Sequence, residues 1–88
     1  MKIEFLSKFN KDLDGIQSPS VARKTIDFIE QVQSASSIGE FRHIKKIKGS
    51  QNAFRVRIGD YRIGFYLVQD TIQLARIVHR KDIYKYFP

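Results

Sequence analysis

The run from Phe54 to Leu67 constrains this chain more than any other. Phe54, Val56 and Ile58 alternate with Arg55 and Arg57, the two-residue period of a strand buried on one face. Gly59-Asp60 follows, a glycine-first pair that reads as a two-residue hairpin loop, and a second alternating run begins at Tyr61. Such a loop sets Ile58 opposite Tyr61, Val56 opposite Ile63 and Phe54 opposite Phe65, all on the core face. The other face pairs Arg57 with Arg62 and Arg55 with Gly64. Like charges opposed across a sheet work against folding. A hairpin has no need of three guanidinium groups on one face, so that face reads as a site for an anion.

The rest of the chain arranges itself around this hairpin. Lys2 to Leu6 alternates as a short first strand. Ser7 offers a cap to a brief helix carrying Phe9, Leu13 and Ile16, which Gly15 ends in a left-handed conformation. Ser18-Pro19 starts a second helix, since proline suits the first helical position and serine caps the free amides. Ala22, Ile26, Ile29 and Val32 form its apolar stripe, flanked by Val21 and Phe28. The short connection predicts that the two helices pack as an antiparallel pair. Ser34 to Gly39 is a loop by composition. Phe41 to Lys48 is a weak strand anchored by Ile44 and Ile47, and Gly49 to Asn52 is a turn. After the hairpin, Gln69-Asp70 makes a second two-residue turn into a last strand from Thr71 to Arg80. This register sets Tyr66 opposite Gln73, Gly64 opposite Ala75 and Arg62 opposite Ile77, with His79 on the face of Arg62. Arg76 then falls on the core face opposite Ile63. It escapes at an edge, pairs with Asp27 or Glu30, or reports a register off by one. Lys81 to Phe87 closes the chain with one helical turn. The fold class is α+β: one domain over 1–88, with two N-terminal helices packed on a twisted, mainly antiparallel sheet of four or so strands.

Length and charge narrow the partners. Eighty-eight residues hold a single core, and 42% hydrophobic residues are enough to build one. The chain lacks cysteine, so neither disulfides nor a thiolate metal site supports it. No apolar run is long enough for a membrane span, and no signal peptide is evident, so a cytoplasmic protein is expected. The formal charge is +7, which favours polyanions. Acids collect between Glu4 and Glu30, whereas Arg42 to Lys48 and Arg55 to Arg62 are almost wholly basic.

On the face carrying Arg55, Arg57 and Arg62, guanidinium forks suit phosphate oxygens and stay charged at any working pH. Gly64 and Ala75, side by side beneath Tyr66, leave a shallow groove. Tyr66, Tyr84 and Tyr86 are platforms for unpaired bases. Cleavage of RNA by its own 2′-hydroxyl needs a base, cations to hold the phosphate, and an acid for the leaving oxygen. Arginine supplies the second and is a very poor base. His79, a tyrosine, or a lysine of depressed pKa among Lys46, Lys48 and Lys81 must supply the others. Lys45, Lys46 and Lys48 also form a basic edge for docking RNA. No cofactor is called for, and His43 and His79 lack a carboxylate at metal-ligand spacing. Each feature also has a plainer reading: solvated arginines, a strand-end histidine bond, and tyrosines that fasten the C-terminus to the sheet.

Ile47-Lys-Gly49, the hairpin Phe54 to Arg62, and His79-Arg-Lys-Asp-Ile-Tyr84 together resemble the RelE/ParE superfamily of toxin–antitoxin toxins, over essentially the whole chain. The resemblance implies one of two activities. RelE-type members are ribosome-dependent messenger-RNA endonucleases, and ParE-type members poison DNA gyrase. In the first case Arg55 and Arg57 supply the basic groups of one strand, and Arg62 holds the scissile phosphate. Arg80 matches the arginine after the last strand, and Tyr84 or Tyr86 the C-terminal aromatic. Members of that branch often carry lysines where this chain has Arg55 and Arg57, one of them able to act as base. Arginine there keeps the electrostatics and shifts that role to His79. The resemblance further implies a cognate antitoxin that covers the groove or displaces the last helix, with DNA contacted only through that antitoxin. A catalytically inactive RNA-binding member is the remaining alternative.

Overall fold

The computed structural model describes all residues from Met1 to Pro88. The elements run β1 (Lys2–Phe5), α1 (Ser7–Asp14), α2 (Pro19–Ser34), a single 3-10 turn (Ile38–Glu40), β2 (Ile44–Lys46), β3 (Ala53–Ile58), β4 (Tyr61–Val68), β5 (Thr71–His79) and α3 (Ile83–Tyr86). They form one five-stranded sheet in the order β1-β5-β4-β3-β2. Three neighbouring pairs are antiparallel, and β1 joins β5 in parallel. No helix is long and apolar enough to cross a membrane.

The central hairpin pairs as its alternation requires. Ile58 faces Tyr61, Val56 faces Ile63, Phe54 faces Phe65, and Arg57 faces Arg62. Gly59 has φ +59° and Asp60 does not share the positive sign, the pattern of a type II′ loop whose twist matches the flanking strands. Phe54 and Phe65 stack across the two strands with centroids 5.6 Å apart. The face they share forms the main core, together with Phe9, Phe28, Val32, Ile63, Ile72 and Leu74.

Pairing of β4 with β5 departs from the expected register. Tyr66 faces Gln73 as expected, but the ladder slips between Gly64 and Phe65, so that Gly64 faces Arg76 and Ile63 faces Ile77. Ala75 is the unopposed residue of a β-bulge. The extra residue turns Arg76 out of the core. Arg62 consequently faces Val78 instead of Ile77, and His79 faces Tyr61 instead of sharing the side of Arg62.

Arg76 finds neither Asp27 nor Glu30 but Asp12 of α1. Its Nε and Nη2 donate to the carboxylate at 2.7 and 3.1 Å. The same carboxylate accepts the backbone N–H of Ile77 at 3.1 Å. The parallel ladder has ended by then, with the Leu6 N–H donating to the Leu74 carbonyl. Asp12 thus satisfies a strand amide at the point where β1 has given way to α1.

The start of α1 and the buried stripe of α2 differ from expectation. Leu6, not Ser7, is the N-cap of α1, without a side-chain cap, and Gly15 ends the helix with φ −83°, a right-handed conformation. In α2 the Ser18 hydroxyl does cap, accepting from Val21 N. The buried stripe is Val21, Thr25, Phe28 and Val32, while Ala22 and Ile26 are exposed. Thr25 is tolerated inside because its hydroxyl donates to the Val21 carbonyl at 2.8 Å. Side chains of both helices reach the main core: Phe9 of α1 and Phe28 and Val32 of α2 belong to it, and Leu13 of α1 packs against it. On the sheet, α1 lies on β5, and α2 on β1 and β3.

A second, smaller core lies on the opposite face of the sheet. Ile47, Ala53, Ala75, Ile83 and Phe87 form it, with Leu6, Tyr66 and Val78 around them. Phe87 fills the groove anticipated between Gly64 and Ala75. A Cβ on Gly64 would stand 2.5 Å from two atoms of its ring, and Tyr66 packs on it at 5.1 Å between centroids.

Candidate nucleic-acid interface

The face opposite the helices is divided in two by these placements. Phe87 and α3 cover the half over Gly64 and Ala75. The other half, toward the Gly59-Asp60 loop, carries the arginines.

Backbone geometry gathers them. Arg55 and Arg57 project from alternate positions of β3, and Arg62 is directly opposite Arg57. Arg62 is held by its own turn: Nη1 donates to the carbonyls of Gly59 at 3.0 Å and Tyr61 at 2.9 Å. The backbone N–H of Arg80 donates to the Asp60 carbonyl at 2.8 Å, which ties the end of β5 to the same loop. Arg55, Arg62, Arg80, Lys81 and Tyr84 line one open concavity over Ile83. Arg55 Nε donates to the Tyr84 hydroxyl at 2.7 Å, so α3 delivers the phenol to the cluster.

The cluster is uncompensated. The single side-chain ion pair of the molecule is Arg76–Asp12, so no carboxylate oxygen lies within 4.0 Å of Arg55, Arg57, Arg62 or Arg80. Burial, and then the charges of Arg55, Arg57 and Arg80, push the Arg62 guanidinium below its ordinary value, against an opposing pull from Tyr84. It remains a cation throughout the working range. Arg55, Arg62, Arg80 and Lys81 around one concavity create a local potential that an oxyanion relieves.

Several sequence candidates lie elsewhere. His79 is on the helix side, its ring edge-on to Tyr61 at 5.7 Å, and its Nδ1 accepts from the Lys81 N–H. The bulge at Ala75 is the reason. Tyr86 sits by Arg76, whose guanidinium carbon is 5.3 Å from the ring centroid. Tyr66 is half-buried on Phe87. Of the basic edge, Lys45 is opposite Arg55 and shares its face, whereas Lys46 is opposite Phe54 and shares the helix face. Lys48 is exposed beyond the end of β2. No three His, Asp or Glu side chains come together as a metal-binding group.

A second concavity, not anticipated, opens on the far side of the loop. Its walls include Lys24, Asp27 and Gln31 of α2, Phe41, Arg42 and His43 ahead of β2, and Arg57 and Gly59. The basic run from Arg42 was visible in the sequence. Lys24 was not, because only the packing of α2 brings it to Gly59, with Nζ 3.5 Å from where a Cβ on that glycine would be.

Comparison with known proteins adds to this geometry. Residues 3–84 match the model of a family described as the ParE toxin of type II toxin–antitoxin systems. The chain is 46% identical to Toxin RelE3 of Methanocaldococcus jannaschii over 90 residues, with full coverage of both. It is 32% identical to Putative toxin RelE1 of the same organism, covering 94% of this chain and 93% of that one. Among solved structures, the RelB-RelE antitoxin–toxin complex from Methanococcus jannaschii superposes with TM-score 0.82 at 40% identity, covering 97% of this chain and 99% of that one. The archaeal RelE-RelB complex from Pyrococcus horikoshii OT3 shares the fold, with TM-score 0.73 at 17% identity over 93% of this chain and 97% of that one.

Proposed function

For a chain that belongs to the RelE/ParE superfamily of type II toxins, we propose that the arginine concavity cleaves messenger RNA on the ribosome. The observation that carries this reading is the set of three guanidinium groups, Arg55, Arg62 and Arg80, that line the concavity with Lys81 and Tyr84 and have no carboxylate partner. Arg55, Arg62 and Arg80 hold the scissile phosphate and take up the charge that grows on its oxygens in the transition state. Arg57 adds to that field from beside Arg62. Proton transfer falls to the two groups in the concavity able to carry it out. Lys81 takes the proton of the 2′-hydroxyl. The 2′-oxygen then attacks phosphorus, and the bond to the 5′-oxygen breaks. Tyr84, its oxygen held by Arg55 Nε, gives the leaving oxygen its proton. The products are a 2′,3′-cyclic phosphate and a 5′-hydroxyl, with no water consumed. Lys45, beside Arg55, extends the basic face along the strand edge.

The partner that silences the toxin is a RelB-like antitoxin, a reading supported by the RelB complexes of the similar structures. An acidic segment of such a protein suits the same arginines.

Arg80→Ala is the cleanest test, because Arg62→Ala also removes two hydrogen bonds of the hairpin loop. Single-turnover cutting of ribosome-bound message is expected to fall about 10²–10³-fold in Arg80→Ala and further in Tyr84→Phe/Lys81→Ala. His79→Gln, on the other face, should cut as the wild type does. The name of the matched family favours a second reading, poisoning of DNA gyrase. A wild-type chain that blocks gyrase supercoiling and leaves ribosome-bound message whole would refute the nuclease and establish that alternative.

A further inference from the structure

The second concavity holds groups of both signs around an aromatic wall. Lys24, Arg42 and Arg57 are cations without an ion-pair partner, although Asp27 lines the same space. All three cations and both Asp27 and Gln31 are exposed to solvent, so none is committed to holding the fold. Phe41 is half-buried and rests edge-on against Phe28 at 5.9 Å. The concavity, of about 460 Å³, is within the size range of small-ligand sites. Arg57 and Gly59 neighbour the arginine concavity through Arg62: Arg57 is directly opposite Arg62 on the hairpin, and the Gly59 carbonyl accepts from Arg62. The two spaces share no lining residue and lie on either side of the hairpin, with Arg57 and Gly59 on one side next to Arg62 on the other.

A simple anion site would have no use for Asp27. A nucleotide would: its phosphate needs cations, its base a flat apolar surface, and its edge donors or acceptors. Carboxylates accept from exocyclic amines, and a glutamine side chain pairs with the edge of adenine. We propose that this concavity is a subsite for a nucleotide flanking the cleaved bond, and that it prefers a base bearing an exocyclic amine over uracil. Lys24, Arg42 and Arg57 hold its phosphate, Phe41 packs on the base, and Asp27 and Gln31 read the base edge. The inference rests on the nuclease reading and extends it from the reacting phosphate to the choice of message.

Fluorescence anisotropy with eight-nucleotide oligo(A) and oligo(U) tests it on the full chain without a ribosome. The wild type should bind oligo(A) more tightly. Lys24→Ala/Arg42→Ala should weaken both about tenfold or more, and Asp27→Ala/Gln31→Ala should bring the ratio of the two affinities close to one, a change of about tenfold. Polyglutamate serves as an acidic-peptide control. Binding of polyglutamate that falls in parallel with RNA in Lys24→Ala/Arg42→Ala, with no preference between the oligonucleotides, would assign the surface to acidic protein and overturn the proposal. Unchanged RNA binding in both double variants would overturn it too. The nuclease reading fails separately, by absence of cutting in the wild type; the oligonucleotide preference then still decides whether the subsite exists.

Discussion

Gly64→Ala offers a sign-reversing test of how the second core is built. In the wild type the new Cβ would meet Phe87 Cδ2 and Cγ at 2.5 Å and Cε2 at 2.8 Å. The ring is 3% exposed, so it cannot swing aside without leaving its contacts with Tyr66 and Ala75. Overpacking of this kind costs about 1–3 kcal/mol. Replacing glycine within a strand returns about 0.5–1 kcal/mol through the unfolded chain. The net expectation is a loss of about 1–2 kcal/mol. In a Phe87→Ala background the obstacle is gone and only the gain remains, so Gly64→Ala should stabilise by about 0.5 kcal/mol. Urea unfolding of the four proteins, with slopes compared as well as midpoints, gives the cycle. The coupling should be about 1.5–2.5 kcal/mol. An equal effect of Gly64→Ala in both backgrounds would refute the claim that Phe87 is why position 64 has no side chain.

Two further outcomes follow from the polar groups. Asp12→Ala leaves Arg76 and the Ile77 amide unpaired. The pair is about four-fifths buried by side chain, so a loss of about 2–4 kcal/mol in urea unfolding is expected; less than 0.5 kcal/mol would show that the bulge holds without its carboxylate. Arg76 is raised in pKa, chiefly by its hydrogen bond to Asp12. Its contribution is therefore complete at neutral pH and is lost only as pH rises through that elevated value, so Asp12→Ala and wild type should differ by a constant amount between pH 7 and 9. Arg57→Ala removes a cation that opposes the charge on Arg62. It should raise the melting temperature by about 1–2 °C in dilute buffer and by nothing measurable at about 0.5 M salt; a lowered melting temperature would contradict the repulsion.

Much of the fold could be read from local pattern. The hairpin register followed from strict alternation around a two-residue loop beginning with glycine, because such a loop leaves no freedom to slide. The bulge was harder. Leu74-Ala-Arg-Ile77 breaks alternation by one residue, and the trace it left was an arginine assigned to the core. Its true partner, Asp12, is 64 residues away, and no local pattern points to it. The stripe of α2 was misplaced because threonine counts as polar by type, whereas Thr25 satisfies its hydroxyl on its own helix. In the candidate site, Arg55, Arg57 and Arg62 came from register alone, and Arg80, Lys81 and Tyr84 adjoin them through the loop and α3. His79 was displaced to the other face by the same single inserted residue. Phe87 over Gly64 had a visible sign, two small residues on a face that should have carried larger ones.

The parallel pairing of β1 with β5 has a kinetic side. Gln73 reaches Glu4 across 69 positions of sequence, and the first strand has no neighbour until the fifth exists. Closure of so long a loop comes before any reward from it, so the first strand is expected to dock after the sequential hairpins have formed. While it waits, the hairpin of β3 and β4, joined by neighbours in sequence, is the part able to form early.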